Sequence, residues 1–334
     1  MRFGYSEQCL AHDTGERHPE SADRLRAIRQ GLTRRHGVEY VDADPASREA
    51  VTAVHDDGYV DEFETFCADG GGSWDPDTVA VKETWDAALA SAGLAQWAAR
   101  TALSGSNGRD TPFALGRPPG HHAVPDDAMG FCFFNNAAVA AQTVLDEGLA
   151  DRVAIFDWDV HHGNGTQDVF YDRSDVFYAS IHEDGLYPDT GAIAEIGTGD
   201  GDGTTLNAPI DAGADDADYL HVIDETLAPA LERFDPGLLV VSAGFDAHRH
   251  DPISRMRVSS EGYALMTDRI RSIGERIDAS VAYVLEGGYG LDTLAEGVGM
   301  VHETYDGREP AEPDDGPSEE TVLVVEELRE LLDL

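Results

Sequence analysis

The sequence is nearly without lysine: Lys82 is the only one, and the rest of its 23 basic residues are arginine. Against them stand 65 Asp and Glu, leaving a net charge of −42. Phosphate contacts need a basic patch, so direct nucleic-acid binding is not expected. Cysteine is also scarce. Cys9, Cys67 and Cys132 lie far apart with no Cys-x-x-Cys spacing, which argues against a disulfide framework or a structural zinc site. Long apolar runs are missing. Stretches such as Leu238 to Ala243 fall far short of the roughly 20 residues that span a bilayer, so no membrane role is expected. The opening MRFGYSEQCL lacks a charged segment followed by an apolar one, so no secretory leader is expected either. There is no GxSxG elbow, no Walker loop and no GxGxxG opening a helix after the first strand, which weakens serine-hydrolase, P-loop and dinucleotide readings. The expectation is a soluble, cytoplasmic protein; its 334 residues, 41% of them hydrophobic, can bury a sizeable core.

The acidity runs along the whole chain rather than sitting in one tail. At ordinary salt so much like charge repels itself and strains the compact state. Near molar salt the screening length falls to roughly 3 Å and the repulsion is relieved. The acid-rich, lysine-poor balance is similar to that of proteins from salt-accumulating halophiles, which implies a cytoplasm near molar salt. The alternative is an acidic surface that binds cations or basic partners.

One linker-like stretch, GREPAEPDDGPS at 307–318, separates a single domain at 1–306 from a C-terminal helix at 319–334 expected to pack back on the body. Helical periodicity and caps predict helices over 21–35, 85–103, 136–147, 216–234 and 260–277. Between them lie short apolar runs at 112–115, 153–156, 176–181, 238–242 and 281–285. Short buried strands alternating with helices predict an α/β protein, a parallel sheet covered on both faces. Each run ends in polar residues and glycines: RPPGHHA, DWDVHHGNG, SIHEDG, SAGFDAH and EGGYG. Ligands of open α/β sheets bind outside the carboxyl ends of the strands, so these segments should converge on one edge.

In DWDVHH an extended chain would point Asp157, Asp159 and His161 to one side. Asp159 and His161, joined by Asp246 from GFDAH, would then grip one cation. Two carboxylates and an imidazole suit zinc and leave a fourth position for water, which marks a catalytic site. A buried ion-pair cluster without metal is the alternative, but burying three carboxylates with no cation is costly. His121 and His122 follow a rigid RPPG turn and can supply a base for the water and an acid for the leaving group. Asp157 and Asn164 are candidate partners that set their tautomers. Tyr289 stands between glycines in EGGYG, where its phenol can stabilise a developing oxyanion.

Taken together, HDTGERHPESADRLRAI, VHDDGYVDEF, RPPGHHA, GFCFFNN, DWDVHHGNGTQ, SIH, YPDTG, SAGFDAH and LEGGYG, in this order over roughly 10–300, resemble the histone deacetylase family. That family includes the acetylpolyamine amidohydrolases and acetoin-utilisation proteins. The resemblance implies an arginase-like α/β fold with a central parallel sheet of about eight strands. It implies zinc at Asp159, His161 and Asp246, His122 as principal proton shuttle, His121 paired to Asp157, and Tyr289 polarising the scissile carbonyl. It further implies a structural potassium ion at the side chains of Asp157 and Ser180, with backbone carbonyls from Asp157, Asp159, His161 and Ile181. Phe131 and Tyr187 match aromatics of the acyl-lysine tunnel, alongside Gly130, Ile253 and Gly288. Trp158 and Asn164 look like the class II pattern and its bacterial and archaeal relatives. One departure stands out. Arg249 to Ser254 replaces a Gly-Asp-Pro-Leu-Gly stretch, and Ile253 occupies the place of the gating Glu of the polyamine-specific vertebrate relative.

The expected activity is hydrolysis of an N-acetylated amine, either acetyl-lysine in a protein or a small acetylated amine. The ligand set also tolerates iron(II) or cobalt. A ureohydrolase would need two bridged manganese ions and more carboxylates, and it would leave Tyr289 without a role. A protein that binds an acylated ligand without turnover is the third reading, and the intact catalytic set speaks against it. Nothing in the sequence specifies an oligomeric state.

Overall fold

The computed structural model describes residues 1–334. Its strands are β1 (Arg2–Gly4), β2 (Glu39–Val41), β3 (Gly71–Ser73), β4 (Val79–Val81), β5 (Pro112–Ala114), β6 (Val153–Asp157), β7 (Val176–Glu183), β8 (Thr205–Ile210), β9 (Leu238–Ala243) and β10 (Ser280–Leu285). β3 and β4 form a separate antiparallel hairpin. The other strands make one 8-stranded sheet in the order β2-β1-β5-β10-β9-β6-β7-β8, parallel throughout. β5, β6, β7 and β9 are buried at every position. Parallel strands read as continuous apolar runs because helices cover both faces.

The helices are α1 (Ala22–Leu32), α2 (Arg48–Thr52), α3 (Asp57–Ala68), α4 (Thr84–Leu103), α5 (Asn136–Asp146), α6 (Asn164–Phe170), α7 (Asp216–Val222), α8 (Ala228–Phe234), α9 (Ser260–Ile277), α10 (Leu291–Tyr305) and α11 (Glu319–Leu332). α4 and α5 pack on each other and on the central strands, whereas α1, α9 and α10 form a second packed group. No helix is long and apolar enough to cross a membrane. α11 lies against β8, an edge strand, and covers a border that would otherwise be free to pair. Arg233 ties it down by donating to the Leu332 carbonyl at 2.5 Å.

The helix expected over 216–234 is not uniform: a π-helical turn, Ile223–Leu227, separates α7 from α8. Pro229 supplies the reason. It has no N–H to donate, and its ring would clash with the carbonyl four residues earlier, so the wider turn takes up the mismatch. The extended path expected for DWDVHH is also corrected. β6 stops at Asp157, and the chain turns at once. Asp157 Oδ1 accepts from the Asp159 amide at 3.0 Å, and Asp159 Oδ1 accepts from the His161 amide at 3.0 Å. Two successive Asp-mediated turns, rather than strand alternation, aim these side chains.

Candidate active site

The carboxyl ends of β5, β6, β7, β9 and β10 open on the same edge of the sheet, as parallel strands must. From the turns that follow β6 come Asp159 and His161, and from the loop after β9 comes Asp246. Their ligating atoms all lie within 4.8 Å of one another. His161 Nδ1 is 2.8 Å from Asp159 Oδ1 and 3.4 Å from Asp246 Oδ2. The remaining oxygens are spoken for: Asp159 Oδ2 accepts from the Gly287 amide at 2.8 Å, and Asp246 Oδ1 accepts from the Val160 amide at 2.9 Å. Gly287 has to be glycine. A Cβ there would stand 2.0 Å from Asp246 Oδ2 and 2.5 Å from Asp159 Oδ2. Behind this cluster the fully buried Trp158 ring packs against Phe245, Tyr263 and Tyr283, fixing the turn from below.

The tandem histidines arrive from the loop after β5. Their backbone is held by Glu286, at the end of β10, whose Oε2 accepts from the Gly120 amide at 2.7 Å and the His121 amide at 3.2 Å. Arg117, fully buried, pairs with Glu20 and stiffens the same loop. His121 Nδ1 faces Asp157 Oδ2 at 2.9 Å, and His122 Nδ1 faces Asn164 Oδ1 at 2.9 Å. The two rings stand 4.0 Å apart. Asp157 and Asn164 are thus the side chains that face the two rings at Nδ1.

These neighbours set opposite charges on adjacent rings. Burial pushes the His121 imidazolium down, but Asp157 and Asp159 outweigh it and raise its pKa to about 10. Burial pushes His122 the same way, and the cationic His121 and His161 reinforce it, so His122 is held well below the ordinary imidazole range. Burial and then Asp159 raise the Asp246 carboxyl. Burial would lower His161, yet Asp159 and Asp246 raise it to about 10.

The donor chemistry fits a divalent cation. Asp246 Oδ2 is buried and has no hydrogen-bond partner. A buried carboxylate oxygen without a hydrogen bond is costly, and its nearest charged neighbour is His161 Nδ1, 3.4 Å away in the space shared with Asp159. The cluster calls for positive charge at that point, which a metal would supply in place of the His161 proton. Two carboxylates and an imidazole make three protein ligands, the number found in open catalytic sites.

Tyr289 lies on the Gly-rich loop between β10 and α10. Its ring meets Phe131 edge-on with centroids 5.9 Å apart, and Arg24 sits 5.1 Å over its face. Arg24 also donates to the Gly288 carbonyl at 2.7 Å, and Gly288 itself has a φ of 112°, turned so that a Cβ would meet Phe245 at 2.9 Å. Tyr187 meets the His122 ring edge-on at 5.2 Å. Gly130 fits between them, for a Cβ would lie 2.4 Å from the His122 ring and 3.0 Å from Tyr187. Phe131 takes a left-handed φ of 71°, uncommon for a bulky side chain, and its amide donates to Thr78 Oγ1 at 3.2 Å. Ile253 is half-buried, with its amide on Asp251 Oδ1 at 3.1 Å. Ser180 is the register partner of Asp157 across β6 and β7, with Ile181 next in the strand and the Ser180 hydroxyl 3.0 Å from His182 Nδ1.

Three contributors were not singled out from sequence. In the sequence Glu286 is visible only as part of EGGYG, yet it anchors the histidine loop. Thr78 had no motif. Asp251 was visible only within the departing Arg249–Ser254 stretch, yet it bonds the Tyr289 amide at 2.7 Å.

Comparison with known proteins points the same way as this geometry. The histone deacetylase domain family matches residues 18–305. A histone deacetylase-like amidohydrolase of Pseudomonas aeruginosa is 42% identical over 275 residues, covering 81% of this chain and 71% of that protein. A probable deacetylase of Archaeoglobus fulgidus is 38% identical over 294 residues, covering 86% of this chain and 81% of its own. Among solved structures, the crystal structure of the HDA15 HD domain superposes with a TM-score of 0.91 at 33% identity, covering 99% of this chain and 96% of that one. The chain belongs to the histone deacetylase domain family.

Proposed function

We propose that the protein is a zinc-dependent amidohydrolase that removes acetyl or related acyl groups from N-acylated amines, acetyl-lysine in proteins or small acetylated amines. The observation that carries this reading is the buried Asp159–His161–Asp246 cluster, with its unpaired Asp246 oxygen, beside a histidine pair of split charge. Bound by these three residues, zinc would polarise the scissile carbonyl and make water a usable nucleophile near neutral pH. His122, neutral at Nε2, takes the proton of the attacking water and returns it to the leaving nitrogen. Asn164 fixes its tautomer through Nδ1. His121, cationic and paired to Asp157, supplies positive charge beside the developing oxyanion. Tyr289 donates its hydroxyl to that oxyanion. Phe131 and Tyr187, with Gly130, Gly288 and Ile253, form the acyl channel.

Asp157, Ser180 and the Ile181 carbonyl would hold a structural potassium ion in this reading, which would suit a cytoplasm rich in that salt. With Ile253 in place of an acidic gate, an acetylpolyamine is the less favoured substrate. The test is acetate release in about molar potassium chloride from an acetyl-lysine peptide, acetylputrescine, acetylspermidine and a small acetyl ester. Turnover of any amide supports the assignment. A zinc-loaded, folded enzyme that cleaves none of them sinks it.

A further inference from the structure

The loop that carries Tyr289 has little stiffness of its own, since Gly287, Gly288 and Gly290 surround the tyrosine. It also begins a helix without a local cap. Gly290 is the N-cap of α10 and offers no side chain to the free amides there. An acceptor for the Gly290 amide, and for the Tyr289 amide before it, comes from a different loop. Asp251, 7% exposed, places Oδ2 at 2.7 Å from the Tyr289 amide and 2.8 Å from the Gly290 amide. Its other oxygen accepts from Ile253 in its own loop at 3.1 Å, so the carboxylate is fixed from behind. A negative group at a helix N-terminus is favourable on electrostatic grounds as well. Three residues further on, the Ser254 hydroxyl donates to the Asp246 carbonyl at 2.6 Å. One short segment therefore grips the backbone on both sides of the centre, at a metal-ligand candidate and at the tyrosine.

We infer that Asp251 is a positioning residue for Tyr289: its carboxylate sets the backbone of the tyrosine and thereby the place of the phenol over the scissile carbonyl. This rests on the proposed deacylation. Arg24 holds the carbonyl side of the same loop at Gly288, so Asp251 supplies the complementary grip on the amide side. A displacement of the order of 1 Å at a catalytic group costs about 100-fold in rate. Removing the grip should therefore appear in kcat far more than in KM.

The experiment compares Asp251→Ala and Asp251→Asn in the parent and in Tyr289→Phe, with two readouts. The first is amide hydrogen exchange in peptides covering 286–292 of the full chain. The second is kcat and KM for acetate release. D251A is expected to speed exchange in that segment and to lower kcat about 100-fold in the parent. In the Tyr289→Phe background it should lower kcat less than about twofold, because there is no phenol left to misplace. D251N keeps an acceptor oxygen for the two amides, so it should retain the protection and at least about a tenth of kcat. Unchanged exchange in D251A overturns the inference, as does an equal kcat loss in both backgrounds or a D251N as impaired as D251A. A parent enzyme that releases no acetate refutes the functional reading instead, and the exchange measurement then decides the Asp251–Tyr289 tie alone.

Discussion

Asn164 Oδ1 lies 2.9 Å from His122 Nδ1, a neutral acceptor where the neighbouring His121 faces the carboxylate of Asp157 at the same distance. Asp157 and Asp159 hold His121 charged, whereas burial and the cationic His121 and His161 hold His122 neutral, and Asn164 adds no charge to offset them. Pairs of titratable groups pushed apart in this way identify acid and base roles.

The division can be removed. Asn164→Asp gives His122 a charged partner within hydrogen-bond reach, which should raise its pKa by about 1–3 units. A base works only when unprotonated, so the acidic limb of kcat/KM should move to higher pH by the same amount. The check is a pH–rate profile of the variant against the parent. An unmoved limb would remove His122 from the proton transfer.

Tyr289→Phe deletes one hydroxyl and leaves the ring against Phe131 and Arg24. Loss of a single oxyanion donor costs about 10²–10³ in kcat. Metal content, by elemental analysis, should be unchanged, since the phenol is not among the three clustered ligands. A variant with near-parent kcat would assign the oxyanion to other donors.

Metal and fold should be coupled through Asp246. Its buried oxygen has no hydrogen bond and only His161 Nδ1 at 3.4 Å, so a metal would satisfy it better. A chelator should lower the melting temperature, and one equivalent of zinc should restore it. At 100 times the dissociation constant the stabilisation is about 2.7 kcal/mol. Asp246→Ala should lose both the stoichiometric metal and the response. A metal count of two per chain would favour ureohydrolase-type chemistry.

The strand-end segments were legible because chemistry and topology coincide there. Asp157, His121, Asp246 and Tyr289 each follow a short apolar run, and parallel strands bring such ends together without further information. The elements not anticipated lack that contrast. β1 and β2 are three residues long, too short for a period to show. β8 contains Pro209, which reads as a break but is tolerated on an edge strand. α10 carries Leu294, Val298, Val301 and Tyr305 at helical spacing, but Gly297 and Gly299 mask it. The glycines are there for packing, since a Cβ on Gly297 would stand 2.4 Å from the Phe245 ring. Glu286, Thr78 and Asp251 act through backbone amides of other loops, and such contacts leave no sequence spacing to read.

His55 makes the fold sensitive to acid. It is buried, donates from Nδ1 to the Val124 carbonyl at 2.9 Å, and accepts at Nε2 from the Asn135 amide at 2.9 Å. Protonation of Nε2 would turn that acceptor into a second donor facing Asn135, which caps α5. Burial lowers the His55 pKa to about 4. A depressed histidine is neutral in the fold, so its contribution is complete above the unfolded value near ~6.5 and is lost as pH falls toward about 4. The slope is about 1.4 kcal/mol per pH unit, on the order of 3 kcal/mol in all. Denaturant unfolding between pH 7 and 4 should show this decline, and His55→Asn should flatten it by that slope. Equal slopes in the two proteins would move the acid sensitivity elsewhere.

Salt should act in the opposite sense from an ordinary surface. Screening weakens the exposed ion pairs, such as Arg100–Glu147 and Arg152–Asp235, which are worth about 0–1 kcal/mol each. It also weakens repulsion among the acids. Even if all 23 basic residues were paired, 65 − 23 leaves 42 acidic groups without a partner. Repulsion therefore outweighs attraction, and its removal wins as the screening length falls from about 10 Å at 0.1 M to about 3 Å at 1 M. The melting temperature should rise steadily across that range in potassium chloride. Sodium chloride at equal strength should reproduce the screening but not a contribution from potassium bound at Asp157 and Ser180, so a higher melting temperature in the potassium salt would support that site. A melting temperature that is flat or falls with salt would show that the acidic surface serves a cationic partner rather than a saline interior.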